Sequence, residues 1–297
     1  MSEIREQLRQ IKEKRDLSLA ELSRAMNVSS SALSQWMNET YKGDNNRIEE
    51  AVKAYLAREE ARSRAPKVEI GFLETSVFTE FLAMCASCHN DGLIGVFTAP
   101  PGLGKTEACK EYIRRYPDSI LIEANLGLRE WKLFCNLSKS LGLTHQGSGV
   151  QDLFEGVVSK LQDSGRLIIV DEAEYLPYRS LELLRRVHDM AGVGIVLAGL
   201  PRLIENLKGK RNEYAQLYSR VGWWGRVKGL TPDDARMIVE RAVPEASARL
   251  TKLFHETSRG NARHLSMLLR RSVEMASAND MEVNPEVVQR AAEMIII

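Results

Sequence analysis

The fold of this chain is limited most by a short glycine-rich sequence, APPGLGKT, at residues 99–106. The apolar run Leu93–Thr98 precedes it, and a helical pattern at Lys105–Tyr116 follows it. A strand, a tight loop ending in Gly-Lys-Thr and a helix together form a phosphate-binding P-loop. Loops of this kind follow a buried parallel strand, so the sequence predicts an α/β fold.

The residue types in this loop suit the binding of a phosphate group. Gly102 and Gly104 let the backbone N–H groups turn toward a β-phosphate, and the helix N-terminus favours the anion. Lys105 is placed to reach the β- and γ-phosphates, and the Thr106 hydroxyl is placed to ligate Mg²⁺. The first glycine of the usual motif is Ala99 here, at a position that supports the turn without contacting phosphate.

A second acidic motif, LIIVDE at residues 167–172, complements the loop. Its four apolar residues predict a buried central strand that ends in two carboxylates. Asp171 is the candidate for the Mg²⁺ shell, and Glu172 is the candidate general base for the attacking water. Without the P-loop upstream, the same pair would equally suit an acidic helix N-terminus after a buried strand.

Apolar runs and helical patterns alternate between residues 70 and 200. The predicted strands are Leu93–Thr98, Ile120–Ala124, Leu167–Val170 and Val193–Ala198, and the helical stretches are Lys105–Tyr116, Leu128–Leu141, Val150–Asp163 and Tyr178–Met190. This alternation implies a parallel sheet covered by helices on both faces.

The N-terminal region predicts a helix-turn-helix at Ser18–Trp36, with Asn27 in the left-handed turn and Ser29 capping the second helix. Short polar side chains would then face outward, suited to base edges or phosphates: Ser30, Ser31, Ser34 and Gln35. The alternative is a small helical bundle that binds a protein. The balanced charge of this region counts against DNA, and a single module would bind weakly, so useful affinity would need several copies.

These patterns divide the chain into four predicted parts. Residues 1–62 form the helix-turn-helix domain, 63–72 a linker, 73–230 the P-loop core and 231–297 a C-terminal helical domain. Thr231-Pro232 and Asn284-Pro285 are helix start signals in the last part.

Composition excludes some classes. The net charge is +1, with the positive excess in residues 200–297, so any electrostatic attraction to DNA is expected there. No apolar run approaches the length of a membrane span and the N-terminus lacks a signal-peptide core, so a cytoplasmic protein is expected.

The CASCH sequence at 85–89 matches a haem-attachment pattern, but two cysteines on an apolar helix explain it better.

Several segments keep a common order: YKGDN at 41–45, PGLGKTEA at 101–108, IIVDEAEYL at 168–176, LYSR at 217–220 and GNARHL at 260–265. Together with the helix-turn-helix they resemble the phage Mu B family of AAA+ ATPases, which assist DNA transposition, over nearly the whole chain. The resemblance implies an AAA+ core between a helix-turn-helix domain and a C-terminal helical domain that serves as a lid or binds DNA.

The resemblance also implies function. A protein of this family is expected to use ATP and Mg²⁺ as cofactors and to hydrolyse ATP to ADP and phosphate, stimulated by DNA or transposase. Its partners are duplex DNA, bound with little sequence preference, a cognate transposase and further copies of itself in a helical filament.

The resemblance assigns roles to individual residues as well. Arg220 corresponds to an arginine finger and Arg263 to sensor 2. The nucleotide-binding residues are Pro101, Gly102, Leu103, Gly104, Lys105, Thr106 and Glu107, and the basic loop expected to touch DNA carries Lys208, Lys210 and Arg211.

One departure concerns the residue after the strand Val193–Ala198. The family usually has a polar sensor-1 residue there, whereas this chain has Gly199-Leu200-Pro201. Leucine cannot orient water, so we expect slow hydrolysis or a substitute from a neighbouring side chain.

Three functions compete. The leading hypothesis is an oligomeric DNA-binding ATPase that delivers target DNA to a transposase. The second is a sequence-specific transcription regulator that uses ATP as a ligand switch. The third, a P-loop kinase, has no evident second substrate site.

Overall fold

The computed structural model describes residues 3–64, 68–144, 149–209 and 214–295. The chain separates into two compact units, Met1–Lys67 and Val68–Ile297. No helix in the described ranges is both long and apolar enough to cross a bilayer.

Four helices form the first unit: α1 (Glu3–Lys14), α2 (Leu19–Met26), α3 (Ser30–Met37) and α4 (Asn45–Arg64). Leu8, Leu22, Leu33 and Trp36 are among the side chains buried between them. Helix α4 continues through residues 63 and 64, which the sequence had suggested for the linker.

The turn between α2 and α3 has the predicted conformation. Asn27 ends α2 with φ 53°, in the left-handed region, and the Ser29 hydroxyl accepts the Ala32 N–H at the start of α3. Ser23 is buried where the two helices meet.

A five-stranded sheet forms the centre of the second unit. Its strands are β1 (Ile94–Thr98), β2 (Ile120–Glu123), β3 (Leu167–Asp171), β4 (Gly194–Gly199) and β5 (Val221–Arg226), in the order β2-β3-β4-β1-β5. All neighbouring strands pair in parallel. The predicted parallel α/β core is therefore confirmed, and β5 is a strand that the sequence did not predict.

Helices cover both faces of this sheet. On one face lie α5 (Ser76–Asp91) and α6 (Lys105–Arg115), and on the other lie α7 (Glu130–Ser140), α8 (Val150–Leu161) and α9 (Tyr178–Ala191). The remaining helices are α10 (Arg202–Lys208), α11 (Ala215–Tyr218), α12 (Pro232–Ala242), α13 (Ala248–Thr257), α14 (Ala262–Ala278) and α15 (Pro285–Glu293). The start of α12 at Pro232 and of α15 at Pro285 agrees with the sequence signals.

Successive strand residues enter different hydrophobic cores, as the pleat requires. Ile168 and Val170 pack with residues of α7, α8 and α9, whereas Leu167 and Ile169 pack with residues of α5, α6 and the C-terminal helices. Because β1, β3 and β4 are buried along their whole length, they are apolar runs without alternation.

The parallel arrangement brings the carboxyl ends of the strands to one edge. Thr98 of β1 pairs with Gly199 of β4, and β3 ends nearby at Asp171. This edge is where open α/β sheets bind ligands.

Candidate nucleotide site

Strand β1 leads directly into the P-loop, and α6 begins at Lys105. The loop is fastened to the sheet because the Ala99 N–H donates to the Gly199 carbonyl at 3.2 Å. Alanine at the motif's first position is thus fully buried in the turn.

Both later glycines adopt left-handed backbone angles, with φ +79° at Gly102 and +88° at Gly104. A Cβ on Gly102 would lie 2.6 Å from Asn261 Oδ1, whereas a Cβ on Gly104 would meet nothing within 4 Å. The loop therefore leaves free space above the first turn of α6, where backbone N–H groups and the helix dipole favour an anion.

Lys105 is folded back over the loop. Its ammonium donates to the carbonyl oxygens of Ala99 at 2.8 Å and Pro100 at 2.9 Å. Burial lowers the pKa of Lys105, and the nearby carboxylates of Asp171 and Glu174 oppose that shift. A phosphate would give this half-buried cation an anionic partner in place of two neutral carbonyls.

Asp171 and Thr106 fit a magnesium site. Asp171 is 2% exposed, its Oδ1 accepts the Glu172 N–H at 2.9 Å, and its buried Oδ2 has no hydrogen-bond partner among the described residues. An unpartnered buried carboxylate oxygen is costly, and Mg²⁺ prefers such ligands. Bound there with the Thr106 hydroxyl, Mg²⁺ would neutralise charge on the phosphates.

Glu172 adopts a left-handed conformation, φ 54°, immediately after β3. Non-glycine residues in this region are strained and are concentrated at functional sites. Burial raises the pKa of Glu172, and the carboxylates of Asp171 and Glu174 raise it further. A carboxylate with a raised pKa is a stronger base, as proton removal from water requires.

These groups line one cavity of about 690 Å³. The predicted nucleotide and catalytic residues in its lining are Pro101, Gly102, Leu103, Gly104, Lys105, Thr106, Glu107, Asp171, Glu172 and Arg263. A cavity of this size holds a ligand of small-molecule dimensions.

One wall of the cavity is apolar. Ile70, Phe72 and Phe78 contribute to it, together with Leu230 and Ile238. The rings of Phe72 and Phe78 meet edge to face with centroids 4.8 Å apart. Residues 70–72, predicted as linker, thus form part of the site, and the wall suits a flat aromatic base.

Helix α14 begins against the P-loop. The Asn261 side chain caps α14 and donates to the Pro101 carbonyl at 2.8 Å, while the Arg263 N–H donates to the Gly102 carbonyl at 2.9 Å. Arg263 therefore lies at the cavity, consistent in position with the predicted sensor 2. Sequence reasoning gave Asn261 no role in the site, although it lies in the GNARHL segment and directly before a helix.

Arg220 lies elsewhere. Val221 pairs with Ile94, the first residue of β1, so Arg220 precedes β5 at the amino edge of the sheet. Four steps of strand separate that edge from Thr98, roughly 13 Å. The guanidinium is 56% exposed and lies 3.6 Å from Asp189. The finger role stays a prediction, and this position restricts it to a neighbouring subunit.

Leu200 follows β4, where the sequence analysis noted the missing polar sensor-1 residue, and it lines the cavity. The carboxylate of Glu174 occupies this corner instead, with Oε2 accepting the Leu200 N–H at 3.1 Å. Sequence reasoning gave Glu174 no role, and the only available signal was a further acid two residues after Glu172.

The candidate DNA-contacting residues of α3 are only partly free. Ser30, Ser31 and Gln35 are exposed, and Ser34 is half-buried. The Ser30 hydroxyl lies 2.8 Å from that of Ser23, so it has a partner within the unit. The DNA-binding role of this face stays a prediction.

The basic loop is described only at its beginning. Lys208 is exposed at the end of α10, with its ammonium 5.0 Å from the centre of the Tyr218 ring. Lys210 and Arg211 lie outside the described residues.

The CASCH cysteines belong to the core. Cys85 and Cys88 lie on α5 and are fully buried. Burial raises the pKa of both thiols, that of Cys88 to about 12, so they remain protonated packing residues.

Comparison with known proteins agrees with this geometry. The family model for the AAA domain matches residues 88–207. The solved structure of the Aeropyrum pernix ORC2 protein, in ADPNP–ADP complexes, superposes with a TM-score of 0.55 at 18% identity, covering 73% of this chain and 66% of that one. Sheet order, P-loop and matched domain together define an α/β AAA+ core.

Two curated relatives extend the similarity. Mu-like prophage FluMu DNA transposition protein B of Haemophilus influenzae is 29% identical over 206 residues, 68% of this chain and 72% of that protein. ATP-dependent target DNA activator B of Escherichia phage Mu is 25% identical over 295 residues, 98% of this chain and 94% of that protein. Over nearly its whole length the chain is therefore similar to the protein named target DNA activator B of phage Mu, and over most of it to the Mu-like transposition protein B.

Proposed function

We propose that this chain is an ATP-dependent DNA-binding ATPase that oligomerises on duplex DNA with little sequence preference and delivers it as target to a transposase, stimulating strand transfer. One observation carries the proposal: a cavity joins the P-loop to Asp171 and Glu172 in a chain similar to the phage Mu target DNA activator over 98% of its length.

The residues support hydrolysis as follows. Lys105 and the loop N–H groups hold the β- and γ-phosphates of ATP, and Asp171 and Thr106 hold Mg²⁺. Glu172 takes a proton from water as the water oxygen bonds to the γ-phosphorus. The bond to the β–γ bridging oxygen breaks, leaving ADP and phosphate. Arg263 contacts the phosphates from α14.

We expect DNA binding to depend on weak contacts from each copy of the chain, added together over several copies. The exposed polar side chains of α3 lie within residues 1–62, where basic and acidic side chains are equal in number, so one copy would bind weakly. Copies assembled side by side raise the effective concentration of every further contact. ATP-dependent assembly therefore gives ATP-dependent DNA binding.

The test is binding of a random-sequence duplex with ATP, with ADP and without nucleotide, at one fixed salt concentration, because phosphate contacts weaken steeply with salt. We expect cooperative binding with ATP only, and its loss in Lys105→Ala. Lys110→Ala is the matched control, since Lys110 lies on the same helix, is 58% exposed and pairs with Glu107. Equal binding under all three conditions would contradict the proposal.

The alternative is a sequence-specific transcription regulator with ATP as a ligand switch. The hydroxyl-bearing face of α3 and the apolar Leu200 favour it. Protection of one discrete site on DNA, with negligible ATP turnover, would support the regulator and exclude target delivery.

A further inference from the structure

Glu174 is a buried acid that hydrolysis, as described above, does not use. It lies in the 3₁₀ turn Ala173–Tyr175, two residues after Glu172, and its side chain is only 2% exposed. It nevertheless lines the nucleotide cavity. A buried carboxylate requires partners, and Glu174 finds its partners outside its own turn.

The partners belong to the end of β4 and to α10. Oε2 accepts the Leu200 N–H at 3.1 Å, and the Glu174 carbonyl accepts the Asn206 side-chain amide at 2.9 Å. The Arg202 guanidinium is more distant, 3.7 Å from Oε1, and 49% exposed. Among the described residues, the hydrogen bond to Leu200 is therefore the shorter of the two polar contacts of the carboxylate.

Gly199 leaves the space that this carboxylate fills. A Cβ on residue 199 would overlap Glu174 Oε2, while the next atom, Leu203 Cδ2, lies 3.3 Å away. The same Gly199 accepts the Ala99 N–H through its carbonyl. The Gly199–Leu200 peptide is thus held by the P-loop on one side and by Glu174 on the other.

We propose that Glu174 is a positioning residue for ATP hydrolysis: by accepting the Leu200 N–H it fixes the end of β4 beside the Glu172 turn, at the corner where Leu200 offers no polar side chain. This inference rests on the proposed hydrolysis of ATP. The effect belongs to turnover and not to nucleotide affinity, because the contacts expected to hold the nucleotide come from the P-loop, the apolar wall of the cavity and α14.

The test compares Glu174→Gln with Glu174→Ala. Glutamine keeps an oxygen that accepts the Leu200 N–H, whereas alanine leaves that donor unpaired. We expect kcat to fall about 10-fold to 100-fold in Glu174→Ala and to stay within about threefold of the unmodified chain in Glu174→Gln. The Kd for ATP should be the same in both variants as in the unmodified chain. Thermal unfolding is measured beside it to show that each variant is folded.

Gly199→Ala gives an independent measure if Glu174→Ala does not fold. It retains Glu174 but displaces the carboxylate, so it should lower kcat as Glu174→Ala does. The double variant Gly199→Ala/Glu174→Ala should have a kcat no lower than that of either single variant. Glu205→Ala removes an exposed acid of α10 and is the control.

The outcomes separate the two proposals. Normal turnover by the unmodified chain with unchanged kcat in Glu174→Ala or Gly199→Ala overturns the role of Glu174 alone. Equal losses in Glu174→Gln and Glu174→Ala also overturn it, because the hydrogen bond would then not be the cause. No turnover by the folded, ATP-binding unmodified chain overturns the hydrolytic function itself.

Discussion

At the scale of the residue, the cavity combines groups that a charged ligand would stabilise. Lys105 donates to neutral carbonyls, Asp171 has a buried oxygen without a partner in the described chain, and Glu172 lies in a strained conformation. A buried unpartnered oxygen and a left-handed non-glycine residue each cost free energy. A triphosphate with its cation would give anionic partners to Lys105 and a positive partner to Asp171.

Replacing Glu172 by glutamine separates binding from chemistry. We expect turnover to fall by about 10² to 10⁴, the usual contribution of a general base, because the amide cannot accept the proton of the attacking water. ATP affinity should remain, since the P-loop contacts are unchanged. Steady-state hydrolysis and equilibrium binding measure the two effects, with Glu205→Gln as control. Hydrolysis at the unmodified rate would remove Glu172 from the mechanism.

The P-loop residues and the acidic pair could be predicted from the sequence because their geometry is local. Lys105 lies in the first turn of the helix after the loop, and Asp171 and Glu172 lie at the end of a strand. Asn261, Phe72 and Glu174 were not readable as site residues. Their roles depend on contacts made by distant segments, such as Asn261 with Pro101. No periodicity within their own segments encodes those contacts.

At the scale of the element, the sequence predicted the central strands and the edge strand β2, but not the other edge strand, β5. β5 is half exposed and contains two glycines, so it lacks an apolar run. Gly225 allows close packing, because a Cβ there would lie 2.6 Å from the Phe97 ring. The short helices α10 and α11 were missed as well, since seven and four residues carry little helical pattern.

Asp234 joins two elements that border the nucleotide cavity. It is 2% exposed and accepts the N–H and hydroxyl of Ser76, each at 2.6 Å, as well as the Thr231 N–H at 2.8 Å. One carboxylate thus connects the start of α12 to the start of α5. We expect Asp234→Asn to lower the free energy of unfolding by about 1.5–3 kcal/mol, the range for hydrogen bonds to a charged group.

The same variant predicts a pH dependence. Burial disfavours the charged form of Asp234, but hydrogen bonds from Ser76 and Thr231 outweigh it and lower its pKa. Its stabilisation is therefore present above the unfolded pKa of about 3.9 and is lost as pH falls through the folded value. Urea unfolding at several pH values should show the two chains converging in acid. Asp233→Asn, 80% exposed in the same turn, is the control, and a gap that does not narrow in acid would contradict this account.

At the scale of the whole molecule, all strands of the sheet in the second unit run in the same direction, so their carboxyl ends lie on one side and their amino ends on the other. The cavity lies at the carboxyl edge, and Arg220 lies at the amino edge. A single chain cannot bring them together, whereas a second copy associated head to tail can. Such heterologous contacts close into rings or continue as open helical filaments, so the position of Arg220 is compatible with the proposed assembly.

Mixing two inactive variants tests whether Arg220 acts between chains. Arg220→Ala should lower turnover by a factor on the order of 10³ if the guanidinium stabilises charge on a neighbour's γ-phosphate. Glu172→Gln should be inactive for a different reason, while it still presents Arg220. In a mixed assembly, the sites of Arg220→Ala subunits keep Glu172 and can receive Arg220 from neighbouring Glu172→Gln subunits. The mixture should therefore hydrolyse ATP faster than the sum of the rates of the two variants measured separately. Arg236→Ala, on the exposed face of α12, should behave as the unmodified chain does. A mixture no faster than that sum, under conditions where both variants assemble on DNA, would mean that Arg220 only pairs with Asp189 within its own chain.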